Sequence, residues 1–258
     1  MKEKRTDARR IGIFDSGAGG LTVVKSIMEH RFFDEIVYFG DTARVPYGTK
    51  DAATITRYAL EALEFFKNFE IDLLVTACNS VSAHALPDLR ANADFPVYGV
   101  IDPGVTALRN SGLPADARIL ILGTRATIES GRYQRGVRAL GYDNIEAIAP
   151  SLFVPAVEEG LFDGPVLGSM LDHYFARLQP PDAVILGCTH FPLIADAIKG
   201  YFPNRPLLIH SGEAIAEHLQ NEGYAPHRAK RCELRIFASE NPGALKAVAK
   251  RWLAMPPA

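Results

Sequence analysis

Residues 71–80 of the chain read Ile71-Asp-Leu-Leu-Val-Thr-Ala-Cys-Asn-Ser80, and residues 181–190 read Pro181-Asp-Ala-Val-Ile-Leu-Gly-Cys-Thr-His190. Each stretch contains an aspartate, a largely apolar run, a small residue and a cysteine that is followed by two polar residues. The offset between the two cysteines is 188 − 78 = 110. This pattern predicts a buried strand that leads into a cysteine, formed twice in the chain.

Two further pairs of segments repeat at nearly the same offset. The apolar run before Asp15-Ser16 matches the run before Gly123-Thr124, with an offset of 124 − 16 = 108. Pro96-Val-Tyr matches Pro206-Leu-Leu, with an offset of 206 − 96 = 110. Three matches in the same order predict that the chain forms two similar lobes.

Short apolar runs without polar alternation recur along the whole chain. Such continuous runs are typical of parallel strands that are covered on both faces. Helical patterns, for instance at residues 51–69 and 168–178, lie between them. The runs are Ile11–Phe14, Ile36–Phe39, Leu73–Val75, Val97–Ile101, Ile119–Leu122, Ala183–Leu186 and Leu207–Ile209. We therefore predict an α/β fold of two pseudo-symmetric lobes, with mostly parallel sheets flanked by helices.

The predicted active site follows from the position of the two cysteines. In open α/β sheets, ligands bind outside the carboxyl ends of the strands. Cys78 and Cys188 each come directly after an apolar run, so both are expected at such an end. If the two lobes face each other, the thiols share the cleft between them, which is where we place the active site.

The composition limits the class of protein. The chain has 258 residues, of which 48% are hydrophobic, and a formal net charge of −2, which points to neither nucleic acid nor a membrane as a partner. Residues 1–10 are polar and charged, so we interpret them as a disordered lead-in and not as a secretory signal. Three cysteines, an odd number, fit free thiols in a reducing cytoplasm. The sequence has no CxxC or HExxH pair, and we expect no metal site.

Two thiols on opposite faces of a substrate suit racemisation at an α-carbon. One group must remove the proton and the other must return one, and the two must exchange roles for the opposite enantiomer. A thiol has an ordinary pKa of about 8.5, so it can act as base or acid near neutral pH. His190 and Asp15 are candidate partners that tune the thiols. Donors for a substrate carboxylate are expected at Asn79, Ser80 and Thr189.

Several stretches resemble those of one family, the aspartate/glutamate racemases, and they do so in the family's order over most of the chain. They are Phe14–Gly20, Gly40–Gly48, Ala77–Asn79, Gly123–Thr127, Phe153–Pro155 with Val157-Glu158, and Gly187–Pro192. The resemblance implies that Cys78 and Cys188 are the two catalytic bases. It also implies that Asp15 assists Cys78, and that His190 together with Glu158 assists Cys188.

The same resemblance implies the substrate, the cofactors and the assembly. It favours glutamate over aspartate, which stays open as the alternative substrate, and implies neither pyridoxal phosphate nor metal. It also implies a homodimer that supplies D-glutamate for peptidoglycan, and hence for cell-wall biogenesis and cell shape. The first lobe would comprise residues 1–100 with 212–258, and the second would comprise residues 101–211. The implied substrate-binding residues are Asp15, Ser16, Tyr47, Gly48, Asn79, Ser80, Thr189 and His190.

Individual residues also have simpler interpretations. Thr124 opens a predicted helix, where it could contact a substrate carboxylate or only cap the helix. Asp15 could likewise be a helix cap, and Glu158 could belong to a solvated helix face. Cys232 has no motif around it and is predicted to be structural.

Other functions remain possible for the chain as a whole. Gly17-Ala-Gly-Gly20 followed by Asp41 resembles a dinucleotide-binding fingerprint, but Thr22 occupies the third glycine position. A binding protein without catalysis, or a thiol hydrolase using Cys188 and His190, would be further alternatives. The presence of Cys78, Cys188, Asp15 and His190 argues against a binding protein, and a hydrolase gives no role to two symmetric cysteines.

Overall fold

The computed structural model describes residues 9–225 and 232–254. Most of the predicted lead-in, residues 1–8, lies outside the described residues, and Arg10 already belongs to a strand. The strands are β1 (Arg10–Asp15), β2 (Glu35–Gly40), β3 (Leu73–Thr76), β4 (Val97–Gly99), β5 (Ile119–Gly123), β6 (Ile145–Ile148), β7 (Ala183–Gly187), β8 (Leu207–His210) and β9 (Glu233–Ala238).

Helices connect and cover these strands. They are α1 (Leu21–His30), α2 (Ala52–Phe66), α3 (Asn79–His84), α4 (Leu86–Asn92), α5 (Ile101–Asn110), α6 (Arg125–Glu129), α7 (Arg132–Ala139), α8 (Phe153–Glu158), α9 (Gly164–Phe175), α10 (Ala195–Tyr201), α11 (Ser211–Asn221) and α12 (Pro242–Leu253). Short 3-10 helices occur at Tyr47–Thr49 and Phe191–Ile194. Within the described ranges, no helix is long and apolar enough to cross a membrane.

The strands form two parallel sheets, which confirms the predicted α/β fold. One sheet has five strands in the order β4-β3-β1-β2-β9, and the other has four in the order β6-β5-β7-β8. All strand pairs are parallel. The central strands of each sheet are buried along nearly their whole length, which explains why their sequences are continuous apolar runs.

The repeated segments of the sequence occupy equivalent places in the two sheets. Ile13 of β1 pairs with Val75 of β3, and Ile121 of β5 pairs with Ile185 of β7. These pairs are related by the same offsets of 108 and 110 that relate the motifs (121 − 13 and 185 − 75). The pseudo-symmetry therefore places the ends of β3 and β7, and the cysteines after them, in corresponding positions.

Sequence patterns missed two of the four edge strands of the described sheets, β6 and β9, whereas the edge strands β4 and β8 were predicted as the runs Val97–Ile101 and Leu207–Ile209. Strands β6 and β9 are only partly buried and contain charged residues, such as Glu146 and Arg235, so neither is a continuous apolar run. The predicted run Val97–Ile101 was also too long, because β4 ends at Gly99 and α5 begins at Ile101. The predicted helices correspond to α2 and α9 with shifted ends.

The C-terminal segment adds to the first sheet. β9 pairs with β2 in parallel, and α12 packs against β9 and α1. α11 packs against both α1 and α5, so it contacts elements on either side of the predicted boundary at residue 212. The division into residues 1–100 with 212–258 and residues 101–211 stays a prediction.

Three apolar clusters hold the sheets and helices together. One contains residues of both sheets, among them Ile13 and Leu122, together with residues of α1 and α11. A second lies between the first sheet and α2, and a third lies between the second sheet and helices α5 and α7. Because the first cluster is shared, the carboxyl ends of the two sheets are fixed relative to each other.

Candidate active site

Both predicted catalytic thiols lie just beyond the carboxyl ends of equivalent strands. Cys78 follows β3 and precedes α3, while Cys188 directly follows β7. The two residues are 6% and 5% exposed, and both line one cavity of about 30 Å³. The sequence-predicted residues that share this cavity are Ser16, Tyr47, Gly48, Asn79, Ser80, Thr124, Thr189 and His190. The structure thus brings together residues that are far apart in sequence.

A larger cavity of about 430 Å³ lies elsewhere in the molecule. Lys25, Glu29 and Trp252 contribute to its lining, and of the described residues that line it none is a cysteine. Trp252 also packs edge-on against the His190 ring, with 6.1 Å between centroids. Size does not identify the candidate site, because this cavity and another of about 810 Å³ beside α2 are both larger than the one that both thiols line. The candidate site is therefore chosen by its paired thiols and not by its volume.

Cys188 has a cationic neighbour. Its Sγ lies 3.8 Å from Nδ1 of His190, and Nε2 of His190 lies 2.5 Å from Oε1 of Glu158. Burial lowers the pKa of His190, but the contacts with Cys188 and Glu158 more than offset this and raise the pKa to about 10. The His190 ring is therefore an imidazolium at neutral pH, held between a sulfur and a carboxylate.

Glu158 is the last residue of α8, and its side chain is 39% exposed. The predicted alternative, a solvated helix face, therefore describes part of its environment. Its carboxylate nevertheless bonds the buried His190 ring. This contact agrees with the predicted pairing of the two residues.

Cys78 has a different environment. Its thiol donates to Oγ of Ser16 at 3.6 Å, and burial, followed by the carboxylate of Asp15, raises the pKa of Cys78 to about 12. The backbone amide of Val81, in the first turn of α3, partly offsets this effect. Cys78 is thus a protonated thiol at neutral pH.

Asp15 is fully buried at the end of β1. Its carboxylate accepts the amide of Gly17 at 3.0 Å and the hydroxyl of Thr189 at 3.3 Å. Burial raises its pKa, and the charge of His190 opposes that shift. The N-cap position of α1 is Gly20 and not Asp15, but the Asp15 carboxylate accepts a hydrogen bond from the backbone amide of Gly20 and so contacts the start of the helix. Its contacts bridge the loops after β1 and β7.

Two glycines allow segments of the site to approach each other closely. A Cβ at Gly19 would collide with the side chains of Thr189 and His190, and a Cβ at Gly48 would collide with Thr124. The glycines after β1 therefore provide a close contact with the second cysteine loop. This contact accounts for the Gly17–Gly20 turn without a dinucleotide.

Hydroxyl groups line the other side of the cavity. Oγ of Ser80 lies 2.8 Å from Oγ1 of Thr124, and Thr124 Oγ1 accepts the amide of Thr127 at 3.3 Å as the N-cap of α6. Thr124 therefore caps its helix and faces the cavity at once, so the two interpretations of this residue are compatible.

Some residues in or near the site were not predicted as site residues from the sequence. Asp41 is fully buried and accepts hydrogen bonds from Tyr47, from Arg44 and from Ser239 in the C-terminal segment. It lies within the quoted stretch Gly40–Gly48, which could have identified it. Tyr133 bonds Asn79 and had no motif of its own. The cavity lining also includes Val45, Pro46 and Val154.

Other candidate groups lie outside the site. Cys232 is half-buried and packs against the first apolar cluster, and its thiol lies 3.9 Å from the carbonyl oxygen of Glu233. His84 bonds the carbonyl of Ala126. In residues 9–225 and 232–254, no group of three or more His, Cys, Asp or Glu side chains is arranged to hold a metal ion.

Comparison with known proteins gives consistent matches. The family model of Asp/Glu/hydantoin racemases matches residues 22–219. The glutamate racemase of a Nitratiruptor species is 64% identical over 95% of this chain and 96% of its own length. The crystal structure of glutamate racemase from Campylobacter jejuni has a TM-score of 0.93 at 50% identity, and the match covers 96% of this chain and 100% of that one. The glutamate racemase from Francisella tularensis, solved in complex with D-glutamate, has a TM-score of 0.84 at 30% identity over 96% of this chain and 95% of that one.

Proposed function

The chain belongs to the Asp/Glu/hydantoin racemase family, and from this premise we propose that it interconverts L- and D-glutamate with Cys78 and Cys188 as its two bases. The observation that carries the proposal is that two buried thiols, at equivalent strand ends, line one cavity. Racemisation by two bases needs one acid–base group on each face of the α-carbon, and a pseudo-symmetric pair of thiols meets that need.

The chemical step moves two protons. A thiolate at Cys188, paired with the His190 imidazolium, removes the α-proton and becomes a thiol, while the electron pair stays on the α-carbon. The Cys78 thiol then gives its proton to the opposite face of that carbon and becomes a thiolate. The opposite enantiomer is converted by the reverse sequence. The raised pKa values of Cys78 and His190 suit one acid and one cation-paired base in the resting site.

The cavity also offers groups that stabilise the carbanionic intermediate. Asn79, Ser80 and Thr189 supply donors beside the thiols, and we assign them to the substrate carboxylates. Hydrogen bonds to the α-carboxylate disperse the developing charge, which is the type of stabilisation that often lowers such barriers most. Ser16, Tyr47, Gly48 and Thr124 complete the proposed substrate contacts.

Asp15 and Glu158 act through their neighbours in this scheme. Glu158 keeps His190 charged, and Asp15 is the carboxylate assigned to assist proton transfer at Cys78. We propose that neither pyridoxal phosphate nor metal takes part. In support, none of the described residues that line the cavity is a lysine, the residue that holds pyridoxal phosphate as a Schiff base.

The biological setting is a further part of the proposal. The similar proteins named above are glutamate racemases, and one of them was solved with D-glutamate. On that basis we propose that this enzyme works in the cytoplasm as a homodimer. Its product would be D-glutamate for peptidoglycan synthesis.

Circular dichroism of L- and D-glutamate, with purified protein and reduced thiols, tests the proposal. We expect the signal to decay to zero from either enantiomer, without added pyridoxal phosphate and in the presence of a chelator, and to change little with aspartate. Turnover of aspartate but not of glutamate would instead assign aspartate as the substrate. Binding of glutamate without α-proton exchange would indicate a protein without catalysis, and ester hydrolysis would indicate a thiol hydrolase.

A further inference from the structure

Tyr133 is a buried residue that contacts the chain next to both thiols. It is the second residue of α7 and is 1% exposed. Its hydroxyl donates to Oδ1 of Asn79, the residue after Cys78, at 2.8 Å. A Cβ built on Gly187, the residue before Cys188, would lie 3.0 Å from the Tyr133 ring. One side chain therefore lies against both cysteine loops.

The hydroxyl of Tyr133 begins a directed chain of hydrogen bonds. Because Oδ1 of Asn79 accepts from Tyr133, the amide nitrogen faces Oγ of Ser211, to which it donates at 3.3 Å. Ser211 in turn donates to the carbonyl of Leu186 at 3.3 Å, two residues before Cys188. The chain thus runs from the residue after one thiol to the strand that carries the other.

The ring of Tyr133 fixes the second loop by packing. It belongs to the apolar cluster that contains Ile121 and Ile185 of the second sheet. The absence of a side chain at Gly187 lets the ring approach the backbone there. Burial also raises the pKa of Tyr133 above its ordinary value, so the phenol stays neutral and remains a donor.

We propose that Tyr133 is a positioning residue that sets the spacing of the two thiols, through its hydroxyl on Asn79 and its ring on Gly187. The inference rests on the proposed two-thiol racemisation. Catalysis that depends on aligned groups can lose about 10²-fold when they shift by about 1 Å. A side chain that contacts both cysteine loops and holds them at a fixed distance therefore affects the rate of racemisation directly.

Tyr133→Phe tests the hydroxyl, and Tyr142→Phe is the matched control. Tyr142 is buried in the same cluster and donates to the carbonyl of Leu113 at 3.1 Å, on a loop that carries neither thiol. We expect Tyr133→Phe to lower kcat/KM on glutamate about ten- to hundredfold, and Tyr142→Phe to change it less than twofold. Both variants should unfold at temperatures within a few degrees of each other.

Two readouts separate positioning from a general loss of structure. In D2O, the Tyr133→Phe variant should wash more deuterium into unconverted substrate per racemisation event than wild type, because proton removal and delivery are no longer aligned. Ser211→Ala breaks the same chain with the ring intact, and the double variant with Tyr133→Phe should lose little beyond the larger single effect.

Three outcomes would overturn the inference while leaving the proposed function in place. They are equal activity of the Tyr133 and Tyr142 variants, an unchanged exchange ratio in the Tyr133 variant, and multiplicative losses in the double variant. Wild-type protein that does not racemise glutamate would instead overturn the proposed function, and that assay is run first.

Discussion

The two thiols occupy equivalent places in the two sheets but have unlike surroundings. Cys188 lies beside the His190 imidazolium, which Glu158 holds, whereas Cys78 lies beside Ser16 and is affected most, after burial, by the Asp15 carboxylate. The internal repeat therefore reproduced the backbone position and not the electrostatic environment. In the proposed racemisation, in which the two thiols act as base and acid, this difference places a cation beside Cys188 and a carboxylate near Cys78.

Of the changes that test the comparison of the two thiols, removal of either thiol should cause the largest loss of activity. We expect Cys78→Ser and Cys188→Ser each to lower racemisation by at least about 10³-fold, because each removes one of two obligatory proton-transfer groups. The remaining thiol should still exchange the α-proton of one enantiomer, and the two variants should do so for opposite enantiomers. Circular dichroism measures racemisation, and proton NMR in D2O measures exchange.

Two results from these thiol variants would contradict the proposal. Wild-type racemisation by Cys78→Ala, or exchange of the same enantiomer in both serine variants, would exclude the two-base scheme. Urea unfolding of each variant serves as the control for folding.

Substitution of His190 or Asp15, the assigned partners of Cys188 and Cys78, tests directly whether the different environments of the two thiols matter. We expect His190→Gln and Asp15→Asn each to reduce kcat/KM about 10²-fold. The reduction must be equal in both directions, because the equilibrium constant between enantiomers is one. The difference should appear in the isotope effects with 2-deuterated glutamate, which should rise mainly for one enantiomer in the His190 variant and mainly for the other in the Asp15 variant.

Equal rises for both enantiomers in both variants would contradict this assignment of partners. They would mean that His190 and Asp15 act on a shared step. Thr189, which donates to Asp15 from the loop of His190, offers a route for such sharing. Thr189→Val in each background would then test that route.

The parts of this site that could be predicted are those that depend on the local sequence pattern. The central strands are buried on both faces, so their apolar runs and the polar residues at their ends are readable without coordinates. The edge strands β6 and β9 were missed because charged residues, such as Glu146 and Glu233, interrupt their apolar pattern, whereas the edge strands β4 and β8 are mainly apolar in sequence. Local order also does not reveal that β9 returns to pair with β2.

Contacts between residues that are distant in sequence could not be predicted from the local sequence pattern. Tyr133 reaches Asn79 over 54 positions, and Ser239 reaches Asp41 over 198 positions. The Tyr133–Asn79 contact joins helices that follow strands of different sheets, and the Ser239–Asp41 contact forms because β9 returns to pair with β2. Neither arrangement is visible in a single sequence without a family pattern at those positions. Asp15 shows the same limit, because its burial, its bond to Thr189 and the direction of its pKa shift all come from the second lobe or its packing.

Glu158 should have a smaller effect that shows mainly in the pH profile. The contact with Glu158 helps to raise the pKa of His190 to about 10, so the imidazolium is present at neutral pH and is lost as pH rises through that value. In Glu158→Gln we expect kcat/KM to fall about tenfold and its alkaline limb to move to lower pH, because the pKa of His190 falls. Glu159→Gln, at the exposed neighbouring position, is the control.

An unchanged alkaline limb in Glu158→Gln would show that His190 does not control that part of the profile. A limb that moves to higher pH would contradict the sign of the electrostatic argument. The profile of Glu159→Gln should match that of wild type in either case.

Cys232 should have the smallest effect on activity and gives the sharpest comparison of the other two thiols. It lies outside the cavity, and burial, with smaller contributions from Asp34 and Glu35, raises its pKa to about 11. We expect Cys232→Ser to keep racemisation within twofold of wild type.

In the Cys232→Ser background only Cys78 and Cys188 remain as thiols, and their exposed fractions of 6% and 5% are nearly equal. A difference in their rates of alkylation by iodoacetamide then reports ionisation more than access. Faster modification of Cys188, read by mass spectrometry of the peptides, would agree with a thiolate beside His190, whereas faster modification of Cys78 would reverse the assignment of acid and base.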